Sequence, residues 1–502
     1  MCSANAITMN DDPIKVYDAR WEVHDFTDRQ VTRLFEATLL YGREIGVDTV
    51  TFTRDARLAA GHVMELGVSA ALQTGMNVFI RPEPISTPQG YFTTLHVSQH
   101  HPNTMGLCIT ASHNPADYVG VKFTVPTVQA IGYDCGPLGG LTRVREIYHS
   151  DRQVEPDNTG RLYLLDLARE YIDFSMTQAG VKAGDLHGLK VVLDSFNGSA
   201  GPELFTALTR SGVQVVPRRL IPDGSFPTGS PNPTSIGKMD DAVSLAVQEK
   251  CDVVIGVDGD GDRIVFGDRR GILTAGFVTL PVLKMLKLNQ SPPVLYDPKV
   301  SPLALEQWGL LNVKPILFRN GHSQIKDYMN QIQAPAAAEE SGHYYHRISM
   351  GGLTVSTENS IMTILLFLRA LKQDPHLMDW LWSMQSRMFC TGEFNYQFDC
   401  DATRDKAIQA VVDHFIDNGA TTVTATDDGI DLQGTVLEYG VDLSPGHVQL
   451  ASDWYSGYLR IATNEKAVVR SYFSAGDRQH GQAIERKARE ILAKQFHGRI
   501  VD

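Results

Sequence analysis

An α/β fold with mixed or parallel sheets, divided among four units, is what this sequence predicts. Three observations carry the prediction. Short β-branched runs recur along the chain, each followed by a Gly- or Asp-containing turn and a helical stretch, and strands that alternate with helices build α/β layers. The 502 residues exceed what one hydrophobic core serves, so several domains are needed. A composition of 43% hydrophobic and 21% charged residues belongs to an ordinary globular chain, which sets aside disordered and fibrous classes.

The elements follow in order. Residues 48–53 (Asp-Thr-Val-Thr-Phe-Thr) read as a strand leading into Arg54-Asp55-Ala56-Arg57 and an amphipathic stretch toward Ala71. The apolar run 106–109 ends in a polar turn at 110–115. Residues 161–177, with Leu162, Leu164, Leu165, Leu167, Tyr171 and Ile172, are expected to form one long helix, and the glycines at 180 and 184 mark a linker. Strands at 190–194 and 252–257 run into Gly- and Asp-rich loops, and loops at strand ends are where α/β folds build sites. Pro292-Pro293 precedes a strand at 294–296, and a further strand at 315–318 precedes Gly321-His322-Ser323. Beyond about Cys390 the chain turns strand-rich, then closes in a charged helix over 482–496. The units are placed at 1–180, 181–290, 291–392 and 393–502.

A net charge of −13 argues against a nucleic-acid binder, because such a surface repels phosphates. An anionic small molecule would then need locally gathered Arg, Lys and backbone N–H groups. Six scattered cysteines with no CxxC pair read as reduced thiols. Residues 1–15 lack a signal-peptide core, and the most apolar stretch, 361–368, is too short to span a bilayer. A soluble, cytoplasmic protein is expected.

Two motifs carry chemistry. Thr110-Ala111-Ser112-His113-Asn114-Pro115 places a hydroxyl on a short turn, with Lys122 downstream to offset charge or move a proton. Taken alone, Ser112 is equally readable as a capping serine. Asp258-Gly259-Asp260-Gly261-Asp262-Arg263 sets three carboxylates at alternate positions, pointing to one side of an extended loop. Such carboxylates repel one another unless a cation neutralises them, and hard oxygen ligands suit Mg2+. A calcium EF-hand is excluded, since its sixth position is Arg263 where Gly is required and its twelfth is Arg269 where Glu is required. A third cluster, Glu339, Ser341 and His343, offers a carboxylate and hydroxyl for vicinal sugar hydroxyls and a possible acid or base, though alone it is also a plain polar turn. His343 and His346 have no third soft ligand nearby, which sets zinc aside.

In this order the motifs resemble those of the α-D-phosphohexomutase superfamily, which includes phosphomannomutase/phosphoglucomutase. Thr110 to Pro115 resembles its phosphoserine loop, Asp258 to Arg263 its metal loop, Glu339 to His343 its sugar loop, and Tyr17-Asp18-Ala19-Arg20 its opening segment. Arg54-Asp55-Ala56-Arg57 and Pro222-Asp223-Gly224-Ser225-Phe226-Pro227 are supporting echoes, and the resemblance spans 14 to 480.

The resemblance implies a four-domain, heart-shaped protein with three α/β mixed-sheet domains and a smaller α+β C-terminal domain. It implies a mutase interconverting hexose 1-phosphate and 6-phosphate, mannose or glucose, through phosphorylated Ser112 and a hexose 1,6-bisphosphate. Mg2+ would be held by Ser112, Asp258, Asp260 and Asp262. Arg20, Lys122 and His343 would handle protons, Arg263 would stabilise the transferring group, and Tyr17, His113, Gly321, His322, Glu339 and Ser341 would contact substrate. The last loop departs from the family pattern. It reads Arg460-Ile461-Ala462-Thr463-Asn464-Glu465-Lys466, with Ala for Ser, Asn for Thr and Lys for Pro, leaving Arg460, Thr463, Asn464 and Lys466 to cradle phosphate. Ala338 stands where the family has Gly. The partners implied are small hexose phosphates, with no nucleic acid or membrane, for a monomer or dimer. A phosphoglucosamine mutase, disfavoured by Glu340 in place of a Gln, a net phosphatase and a non-catalytic sugar-phosphate-binding homologue are the alternatives.

Overall fold

The computed structural model describes residues 12–155, 157, 159–443, 448–462 and 465–501. Thr463 and Asn464 therefore lie outside the described residues. Four sheets follow one another along the chain. The first orders its strands Ala19–Glu22, Tyr118–Val125, Thr104–Ile109, Thr49–Arg54, Asn77–Ile80 and Leu162–Leu164. Its last four are parallel and its first two pairings antiparallel. The second and third sheets each combine three parallel strands with an antiparallel extension. The fourth sheet is antiparallel throughout.

One topological device recurs three times. A parallel strand ends, a short loop turns the chain, and the next strand returns antiparallel beside it. Thr104–Ile109 passes through the Ser112 loop to Tyr118–Val125, Val253–Val257 through the Asp258 loop to Ile264–Asp268, and Ala336–Ala338 through the Glu339 loop to Tyr344–Met350. Every residue of Thr104–Ile109, Val253–Val257 and Ala336–Ala338 is buried, so each loop stands on a rigid base.

The apolar stretch 361–368 lies in the buried helix Ser360–Gln373, which packs on the helices Ala275–Leu286 and Ala168–Ala179. It joins the second and third sheets in one large core.

The long helix expected over 161–177 is not one helix. Leu162–Leu164 is a strand pairing in parallel with Asn77–Ile80, and the helix is Ala168–Ala179. Asp166 Oδ1 accepts from the Ala168 N–H at 3.1 Å, and Tyr163 stacks on Phe79 with ring centroids 4.6 Å apart. An open sheet edge recruits the leucine run, and helical periodicity does not report such a partner. At the C-terminus the α-helix is Arg478–Arg489, followed by a π-helical turn, Glu490–Gln495.

Candidate active site

The Ser112 loop is pinned from below. Thr110 Oγ1 donates to Asp55 Oδ2 at 2.7 Å and accepts from the Ser112 N–H at 2.9 Å. Ser112 itself has φ 51°, the left-handed region that a serine occupies only at a cost of about 1 kcal/mol or more. Arg57, 1% exposed, holds that turn in place. Its Nη2 donates to the carbonyls of Ser112 and Asn114 at 2.7 Å each, and its Nη1 donates to those of Tyr118, at 3.0 Å, and Pro115. Its guanidinium lies over Phe226, 5.2 Å from the ring centroid, while Gly224 abuts Ala56 so closely that a Cβ there would come within 2.1 Å of the Ala56 carbonyl. The two supporting sequence echoes thus meet under the serine.

Ser112 Oγ donates to Asp258 Oδ2 at 2.8 Å. Asp258, Asp260 and Asp262 are all buried, and each offers a carboxylate oxygen within 4.8 Å of the others. Lys122 Nζ donates to Asp260 Oδ2 at 2.7 Å and also to Asp262 Oδ2. Among the described residues, Asp260 Oδ1 and Asp262 Oδ1 are buried without a hydrogen-bond partner, the chemistry of a hard-cation seat. Burial, with the neighbouring carboxylates, pushes Asp258 up to about 8. For Asp262 burial acts upward too, but Lys122 and His343 outweigh it and the carboxyl is lowered. Burial opposes the charge on Lys122, yet Asp260 and Asp262 hold its pKa well above the ordinary value.

The Asp258 loop and the Glu339 loop are joined: the Ile264 N–H donates to the Gly342 carbonyl at 2.8 Å, and Arg263 Nε donates to His343 Nε2 at 3.1 Å. His343 Nδ1 lies 3.7 Å from Asp262 and 3.6 Å from Glu358. Against the effect of burial, these carboxylates raise the imidazole pKa. His113 and His322 go the other way, driven well below the ordinary histidine value by burial and neighbouring cations.

Glu339 accepts from Asn320 Nδ2 at 3.2 Å, the Gly321 N–H at 3.0 Å and the Tyr345 hydroxyl at 2.7 Å, so it also fastens the Gly321 loop. Gly321, at φ 132°, leaves room for Tyr17, whose ring a Cβ there would approach to 2.4 Å. Arg20 donates through Nε to Asp18 at 2.8 Å and through Nη1 to Asn114 Oδ1 at 2.7 Å, which ties the opening segment to the serine loop. Glu340 is tied elsewhere: its carboxylate accepts from the N–H groups of Ala275 and Gly276, at 2.9 and 3.1 Å, capping the helix Ala275–Leu286. It lines the cleft as well.

Ser112, His113, Tyr17, Arg20, Lys122, Arg263, Gly321, His322, Glu339, Ser341, His343 and Arg460 all line one cleft of about 860 Å³. Sequence reasoning missed Lys299, Glu393 and Arg470, which line it too, and the buried Glu358–Lys326 pair behind His343. Lys299 carried one signal, its position just past the strand Pro293–Tyr296. The others become neighbours only through tertiary packing.

Three family descriptions match the chain in order: phosphoglucomutase/phosphomannomutase α/β/α domain I at residues 13–133, domain II at 169–271 and domain III at 278–385. A phosphomannomutase of Escherichia coli K12 is 29% identical over 66% of this chain and 72% of its own. A protein of Xanthomonas campestris named phosphohexose mutases is 28% identical over 80% of this chain and 86% of its own. The crystal structure of a phosphoglucomutase/phosphomannomutase family protein from Burkholderia thailandensis superposes with a TM-score of 0.77 at 21% identity, over 98% of this chain and 99% of that one. The chain belongs to the α-D-phosphohexomutase superfamily.

Proposed function

We propose that this protein is a phosphohexomutase moving a phosphoryl group between O1 and O6 of a hexose, mannose or glucose, with Ser112 as the carrier. The observation that supports it best is the meeting of Ser112 Oγ with Asp258 at 2.8 Å in a cleft also lined by Arg20, Lys122, Arg263 and His343. Phosphorylated Ser112 gives its phosphoryl group to the free hydroxyl of a hexose monophosphate. The bond from phosphorus to Ser112 Oγ breaks, one to the sugar oxygen forms, and the hydroxyl proton leaves to a base in the cleft. The 1,6-bisphosphate then turns over and returns its other phosphoryl group to Ser112. Arg20, Lys122 and His343 handle the protons and Arg263 the charge on the transferring group. Asp258, Asp260 and Asp262 would hold Mg2+ with the serine oxygen, and the ion would supply electrostatic stabilisation of that group.

The test uses purified protein with Mg2+ and a trace of glucose 1,6-bisphosphate, offered mannose 1-phosphate and glucose 1-phosphate in turn. Formation of a 6-phosphate is expected, with loss of turnover in Ser112→Ala and on chelation. No 6-phosphate from either sugar, with Ser112 unphosphorylated by mass spectrometry, sinks the reading; release of free phosphate instead makes the protein a phosphatase.

A further inference from the structure

One wall of the cleft gathers three cations around a carboxylate. Arg460 and Arg470 are directly opposed on the antiparallel strands Gln449–Ile461 and Val468–Ala475, so their side chains leave the same face of the sheet. Like charges so paired repel unless an anion lies with them. Lys299 adds a third cation from just past the strand Pro293–Tyr296. The Glu393 carboxylate links this group: Oε2 accepts from Lys299 Nζ and Oε1 from Arg470 Nη1, each at 3.2 Å. Lys299, and then Arg470 and Arg460, hold the Glu393 carboxyl down at about 2 despite burial, so it is ionised at neutral pH. Arg460 donates through Nη2 to the Tyr17 hydroxyl, and its buried Nε has no hydrogen-bond partner among the described residues. Arg470 also donates to Glu465, at 2.6 Å.

The Glu393 side chain is partly open to solvent, 31% exposed, and the preceding Gly392 takes φ 72° with open space where a Cβ would stand. Carboxylate and phosphate compete for the same planar donor geometry of arginine.

We propose that Glu393 is a built-in competitor for the phosphate of the substrate: its carboxylate sits in the seat that Lys299, Arg460 and Arg470 form for a sugar-borne phosphate, and binding exchanges one anion for the other. The proposal rests on the reading of the cleft as a hexose-phosphate site. Glu393 thereby lowers affinity for the phosphate end and makes it depend on the charge of the incoming group. The expected gain on removing that charge is read as binding, without turnover.

Glu393→Gln keeps the size and one acceptor oxygen and removes the charge. Titration calorimetry on the full chain with inorganic phosphate and with glucose 6-phosphate should show both binding about tenfold tighter than wild type, about 1.4 kcal/mol. Glucose itself should bind unchanged, and added Lys299→Met should erase the gain. In steady state KM falls while kcat does not rise, because product leaves more slowly. Glu393→Ser is a second variant should the first fold poorly. Equal or weaker phosphate binding in a variant that melts like wild type overturns the proposal and makes Glu393 a scaffold for the cations. If wild type turns over no hexose phosphate while Glu393→Gln still gains phosphate affinity, the mutase reading fails and the competitor stands.

Discussion

Arg57 spends all its visible donors on the loop that carries Ser112 and on Asp55. Burial raises the Asp55 carboxyl and lowers the Arg57 guanidinium, so this pair does not fully offset its own desolvation. Its value is positional: four carbonyls between residues 112 and 118 converge on one guanidinium. Arg57→Leu strands both Asp55 and those carbonyls, and should cost about 3–5 kcal/mol in urea unfolding. Asp55→Asn combined with Arg57→Leu should recover part of that loss. A single variant within about 1 kcal/mol of wild type would refute the clamp. Arg57→Lys should fold better yet turn over poorly, because an ammonium cannot reach four acceptors with the same fork.

The Asp258 loop is held up by the start of a helix. Ser86 caps Thr87–Ser98 by accepting from the Gln89 N–H at 3.1 Å, and Thr87 donates to Asp260 through its N–H at 2.8 Å and its hydroxyl at 2.6 Å. Behind the cap, the Ser86 hydroxyl donates to Glu203, a buried side chain of the helix Gly201–Arg210. Burial pushes Glu203 up to about 8. The sign follows from proton counts: between the ordinary glutamate value and about 8 the folded state keeps a proton that the unfolded chain gives up, so stability falls as pH rises across that window. Glu203→Gln imitates the protonated form and should stabilise the protein at pH 8 by roughly 4 kcal/mol, and by about 1 kcal/mol at pH 5. Thermal melts at the two pH values check this; an equal effect at both would refute it. Residues 161–177 carry a helical pattern, but their leucines serve a sheet edge, and only the partner strand Asn77–Ile80 decides between the two outcomes.

Across the whole molecule, the cleft is closed by contacts between units far apart in the chain. Arg460 Nη2 donates to the Tyr17 hydroxyl at 2.7 Å, and that hydroxyl donates to Gln433 at 3.3 Å, linking the opening segment to the fourth sheet beside the Gly321 loop. Tyr17→Phe removes that link without emptying space. KM for a hexose phosphate should rise several-fold, with a melting temperature close to wild type, and small-angle scattering should show a wider average opening. Unchanged KM would mean that the fourth sheet is positioned by other contacts. The fourth sheet is also where sequence and structure diverge in kind. Its family loop is altered at Ala462 and Lys466, whereas the cations that line the cleft there, Lys299, Arg460 and Arg470, come from two sheets.

The sequence by itself determined the chemistry of the loops: a serine at one strand end, three alternating aspartates at another and a polar turn at a third, because each needs only local residue types and spacing. It also determined the α/β layering, through strand and helix periods. Tertiary structure alone decided what holds and tunes those loops. The grip of Arg57 on the Ser112 loop, the Glu203–Ser86 cap, the commitment of Glu340 to a helix end and the Glu393 carboxylate among three cations all join groups distant in the chain. Their energies depend on burial and on partners, and neither is a property of a residue's neighbours in sequence.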